Sequence, residues 1–173
     1  MNTKINTRDL VILSLLIAMN IILSRFLSIA TPIMKIGFSF LPLTIAAVMY
    51  GPKYTAIVAV IADIIGATLF PSGAFFPGFT ITTFIVGILY GVFLYNKPRD
   101  LKNIITAVFI VNLIELILNT GNLYLLTGQA IWMTLPTRAV QSLIMFAVKT
   151  FTIYNVSYSI ADMKKYIPAY GRR

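Results

Sequence analysis

Apolar residues fill this chain in long runs, and short polar or Gly/Pro-rich breaks separate them. The first run, Leu10 to Ser24, carries no charge, follows Lys4, Arg8 and Asp9, and is closed by Arg25. A charged start before an apolar stretch resembles a signal peptide, but no A-x-A-like cleavage site follows, so the segment reads as a retained helix over 10–25. The second run covers 36–50 and stops at Gly51-Pro52, a pair that breaks helices. Its shortness predicts a tilted or kinked segment, or one that begins non-helical. Further helices are predicted over 54–70, ended by Pro71-Ser72-Gly73, and over 77–95, ended by Asn96-Lys97-Pro98-Arg99-Asp100. Two more follow over 103–125, before Thr127-Gly128-Gln129, and over 136–161, opening on Pro136, a favoured first-turn residue.

A helix crosses the hydrocarbon layer with about 20 mostly apolar residues. The 173 residues therefore accommodate six spans, short loops and no separate soluble domain. The expected fold is an all-α integral membrane bundle of six transmembrane helices, a single domain over 1–173, with no linker, low-complexity segment or internal repeat. An inverted-repeat carrier usually needs more helices.

Composition narrows the chemistry. Hydrophobic residues make up 58% of the chain and charged ones 11%, against about 25% charged in soluble domains. With no Cys and no His, Ser-His-Asp and Cys-His catalysis, disulfides and metal sites built on those side chains are excluded. A net charge of +9 would suggest nucleic acid in a soluble protein, but here the bases lie between apolar runs as topology signals do, so no nucleic-acid partner is expected. Six spans put both termini on one side. That side holds ten bases, Lys4, Arg8, Lys53, Lys97, Arg99, Lys102, Lys164, Lys165, Arg172 and Arg173, against Arg25 and Lys35 on the other. The asymmetry predicts cytoplasmic termini.

Charges within the bilayer cost roughly 2.5–3.5 kcal/mol each on insertion scales, so Asp63, Glu115, Arg138 and Lys149 each need a reason. Counting residues at about 1.5 Å of rise places Asp63, Glu115 and Lys149 near the midplane. Lys149 can pair with either acid as a purely structural register device, and the acid left over calls for another donor or a ligand. Asn112, Glu115, Asn119 and Asn122 recur at intervals of three, four and three, on one helical face. A polar stripe in lipid must face the bundle interior; one or two Asn can be packing contacts, whereas four in line suggest the wall of a polar cavity. In the last span Arg138, Gln141, Met145, Lys149 and Thr152 follow a similar spacing. Arg138 and Arg25, near outer ends, either snorkel to the interface or receive an anionic group.

The outer loop Phe70-Pro71-Ser72-Gly73-Ala74-Phe75-Phe76-Pro77-Gly78-Phe79-Thr80 is uncharged. Gly73 and Gly78 have P-loop spacing, but Phe79 stands where the phosphate-binding Lys would be, which removes the nucleotide reading. The rings can form an interfacial belt or cover a flat heterocycle. Trp132, the sole Trp, beside Tyr124 in the next outer loop, has the same two readings. Ser14 and Ala18 are four apart and mark a face that another helix can approach closely.

The run Ala62-Asp63-Ile64-Ile65-Gly66 followed by Phe70 to Thr80 resembles the folate-specific branch of the substrate-binding S components of energy-coupling factor (ECF) vitamin transporters. The resemblance extends over nearly the whole chain. It implies high-affinity capture of extracellular folate in the plasma membrane of a prokaryote. The implied partners are a membrane T subunit and two cytoplasmic ATPases, with the whole S component toppling to release its cargo inward. It also implies no catalytic residue, no metal and no cofactor, folate being the transported ligand. The family's A-x-x-x-A docking motif falls on Ser14 and Ala18, with Ser14 in place of the first Ala. A pterin edge suits Glu115 or Asp63 as bidentate acceptor, with Asn119, Asn122 and Gln141 for its other polar atoms. Phe75, Phe76, Phe79 and Trp132 would cover its faces, and Arg25, Arg138 or Lys35 would meet the glutamate carboxylates. Competing readings are an S component for riboflavin, thiamine or hydroxymethylpyrimidine, a stand-alone ion-coupled carrier, and a membrane enzyme using Asp63 and Glu115 as acid and base.

Overall fold

The computed structural model describes residues 6–30, 35–71, 74–98, 100–128 and 130–166, with the backbone alone at 30, 35 and 158–166. The side chains of Lys35, Lys164 and Lys165, and the whole of Lys4, Ser72, Gly73, Arg99, Gln129, Arg172 and Arg173, lie outside that description.

Among the described residues six helices follow one another: α1 (Thr7–Arg25), α2 (Phe40–Tyr50), α3 (Pro52–Leu69), α4 (Pro77–Leu94), α5 (Leu101–Thr127) and α6 (Ile131–Tyr166). All but α2, which has 11 residues, are long and apolar enough to cross a membrane. The second span begins non-helical, one of the forms its shortness predicts, and the start of α6 differs from expectation. The stretch from Ile36 is not helical at its start; Lys35–Gly37 forms a strand, β2, paired antiparallel with β1 (Ser28–Ala30), and the helix begins at Phe40. The fold therefore adds a small two-stranded ribbon to the expected all-α bundle. At the other end, α6 starts at Ile131, so Pro136 sits inside its first turns rather than opening it. As the sixth residue of the helix, Pro136 lies beyond the four N–H groups that have no intrahelical partner, and it leaves the Trp132 carbonyl without the bond that an N–H there would give.

Hydrogen bonds and close approaches fix the antiparallel arrangement. Tyr50 Oη donates to Asp9 Oδ1 at 3.4 Å, bringing the end of α2 to the start of α1. Gly51 turns the chain from α2 into α3 with φ of 78°, a conformation that glycine adopts without strain. The most extensive helix contact is α3 on α4. There Gly87 and Gly91 lie against the backbone of α3: a Cβ on Gly87 would meet Ala56 Cα at 2.9 Å, and one on Gly91 would strike Pro52. The short α2 packs on α1, α3, α4 and α6 and fills the centre of one half of the bundle. Ala46, Ala47, Val58, Val108 and Ile153 form the core there, and Leu43 and Tyr90 lie between it and the open half. The other half is left open, and it holds the polar residues.

Candidate functional site

A cavity of about 890 Å³ lies in that open half, walled by all six helices and by the loop before α4. Ligand pockets typically enclose roughly 300–1,000 Å³. Its polar groups fall into two clusters on opposite walls.

On the α5/α6 wall, Lys149 is buried, its side chain only 5% exposed, and it pairs with Glu115 Oε2. Lys149 Nζ also reaches Asn112 Oδ1 at 3.5 Å, and Asn112 Nδ2 donates to Ser142 O at 2.6 Å and Ser142 Oγ at 2.8 Å. Lys149 lies 6.0 Å from the centre of the Phe40 ring, a cation–π distance. The choice left open by residue counting is thus resolved: Lys149 takes Glu115, not Asp63. Glu115 is 28% exposed, so part of its carboxylate still opens on the cavity.

On the α1/α3/α4 wall, Asp63 accepts a 2.7 Å hydrogen bond from Thr80 Oγ1 and faces Arg25 Nη2 at 3.9 Å. Gly66 makes room for this, since a Cβ there would meet Arg25 Nε at 2.9 Å. Arg25 is the second donor that the surplus acid required. The sequence leaves Arg25 either snorkelling or receiving an anion at the mouth; its guanidinium, 13% exposed, lies against Gly66 of α3 on the cavity wall and faces Asp63.

Of the sequence candidates, Arg25, Asp63, Phe75, Phe76, Phe79, Glu115, Asn119, Arg138 and Gln141 line the cavity. Arg138 Nη1 donates to Thr120 Oγ1 at 3.3 Å. The Phe76 and Phe79 rings meet edge to face, 6.1 Å between centroids, at the rim. Two candidates are not on the wall. Asn122 Nδ2 donates to Thr82 Oγ1 at 3.0 Å and ties α5 to α4. Ten residues of helix after Asn112 fall roughly 80° short of three full turns, which swings Asn122 from the α6 side towards α4. Trp132 is 82% exposed on the first turn of α6, pointing away from the bundle. Ser14 and Ala18 lie on the exposed face of α1 with Leu10, Val11 and Leu15. Ser14 Oγ is occupied by Leu10 O at 2.9 Å.

Several wall residues had drawn no attention in the sequence. Asn20 (donating to Ser39 O at 2.8 Å), Thr82, Thr83, Tyr90 and Ser142 all line the cavity. Of these, Thr82 and Tyr90 share one face of α4 with Val86, a spacing indistinguishable from core packing in an apolar run. No group of three or more acidic side chains that could hold a metal ion occurs among the described residues.

An apolar helical bundle with one polar, partly aromatic cavity and paired charges in its walls defines a membrane-embedded binding protein for a small polar ligand. The family of substrate-specific components of ECF transporters matches residues 8–161, and the chain belongs to that family. It is 41% identical over 152 residues to a folate transporter, FolT, of Clostridium novyi, covering 87% of each chain. To a folate transporter FolT of Leuconostoc mesenteroides it is 36% identical over 96 residues, 56% of this chain and 51% of that one. A crystal structure of a FolT bound with folic acid superposes with a TM-score of 0.85 at 30% identity, covering 89% of this chain and 95% of the other.

Proposed function

We propose that the chain captures folate from outside the cell as the S component of an ECF importer in the plasma membrane of a prokaryote. In this reading the chain crosses the membrane six times with cytoplasmic termini, the non-helical stretch before α2 lengthening that short crossing. Uptake is driven by a partner T subunit and two ATPases, and the chain itself catalyses nothing and carries no cofactor.

The observation that carries this reading is the graded chemistry of the cavity. At depth, Glu115 offers a half-open carboxylate beside Asn119 and Gln141, and a carboxylate can accept paired N–H donors from one edge of a pterin. At the rim, Phe75, Phe76 and Phe79 supply aromatic cover. Arg138, on the outer half of α6, is the base best placed for the glutamate carboxylates, because Arg25 is engaged by Asp63. The likeness to a relative solved with folic acid supports the same ligand. The exposed face of α1 around Ser14 and Ala18 is the proposed docking face for the T subunit, small enough there for close helix approach.

Reconstituted uptake tests the assembly. Folate accumulates in cells that carry this chain together with an ECF module, and accumulation stops when an ATPase of the module is inactivated. Undiminished uptake without the ATPases would make the chain an ion-coupled carrier instead.

A further inference from the structure

One polar group in the cavity wall has no use in the arrangement above. Tyr90, on α4, is fully buried, and its hydroxyl has no hydrogen-bond partner among the described residues. The other α4 hydroxyls on this wall are engaged: Thr82 Oγ1 donates to Gly78 O at 3.0 Å and accepts from Asn122, while Thr83 Oγ1 donates to Phe79 O at 2.8 Å. Tyr90 lies two helical turns deeper than Thr82 on the same face and forms part of the cavity floor. Glu115 lines the same cavity.

A buried hydroxyl left unsatisfied is costly, and Phe would fill the same space without that cost. We infer that Tyr90 is a specificity-determining residue of this cavity: its hydroxyl donates to a carbonyl oxygen or ring nitrogen of a polar heterocycle seated at the floor, while Glu115 accepts from the ring's N–H groups. A donor and an acceptor lining one cavity match the alternating edge of such a ring better than a carboxylate alone. The inference rests on the proposed folate-binding function and deepens it.

Tyr90→Phe tests it by titration with folate alongside thermal unfolding of the ligand-free protein. Folate affinity falls about ten-fold, the effect of one hydrogen bond of ordinary strength, while the ligand-free midpoint stays level or rises. Thr150→Val serves as the comparator, since Thr150 Oγ1 is also buried and without a partner among the described residues but lies off the cavity wall. It leaves affinity unchanged. Unaltered affinity in Tyr90→Phe, an equal loss in Thr150→Val, or a ligand-free midpoint that drops with the affinity would each overturn the inference. A wild-type protein that binds no folate would overturn the function and the inference together.

Discussion

Removing each partner of the Glu115–Lys149 pair separates what it does for folding from what it does for binding. The two side chains are not equivalent, because Lys149 is 5% exposed and Glu115 is 28% exposed towards the cavity. Breaking a buried pair by deleting one partner costs about 3–5 kcal/mol, most of it the cost of the stranded charge. Glu115→Gln strands the deeper charge but keeps a carbonyl that Lys149 can use, so the lower end, about 3 kcal/mol, is expected. Lys149→Met strands a carboxylate that opens on a water-accessible cavity, for about 1–2 kcal/mol. The double variant removes both charges and falls within about 1 kcal/mol of wild type. At about 2–4 °C per kcal/mol for a chain of this size, Glu115→Gln lowers the melting midpoint by about 6–12 °C. The chain has no Cys for a thiol-reactive dye, so unfolding is followed by far-ultraviolet circular dichroism in detergent. Binding follows a different order. Both variants that lack the carboxylate lose about 10- to 150-fold in folate affinity, the worth of hydrogen bonds to a charged group. A double variant that is stable and still binds folate like wild type would refute the reasoning, as would a Lys149→Met less stable than Glu115→Gln.

Other expectations follow from the same geometry. Arg138→Ala weakens folate about ten-fold or more but leaves 6-methylpterin, which has no carboxylate, unaffected; equal losses for both ligands in calorimetric titrations would remove the anion role. Trp132→Phe leaves folate affinity unchanged, because the indole faces away from the cavity; a large loss by the same titration would contradict that placement. Gly91→Val forces α4 away from Pro52 and lowers stability by about 1–3 kcal/mol, the usual cost of overpacking, read as a melting midpoint. Ser14→Leu with Ala18→Leu preserves folate binding and abolishes uptake in cells carrying the partner subunits; intact uptake would remove α1 as the docking face.

The parts of the site legible in the sequence were those written in the helical period. Asn112, Glu115 and Asn119 on α5, with Gln141 and Lys149 on α6, read as one interior wall because a polar residue in an apolar run has nowhere else to go. Depth counting was less informative for Asp63. It treats helices as straight and side chains as points, whereas the long Arg25 side chain reaches inward from the end of α1 and claims Asp63. The β1–β2 ribbon is hidden because three-residue apolar pieces carry no period. Tyr90 is hidden for the opposite reason: a lone Tyr among apolar residues reads as core until the structure leaves its hydroxyl without a partner.

The central claim is that the cavity selects folate, and direct calorimetric titration of the purified protein with folate, riboflavin and thiamine tests it. The account predicts tight one-to-one binding of folate and no comparable binding of the other two. Tight binding of riboflavin or thiamine with none of folate would contradict it.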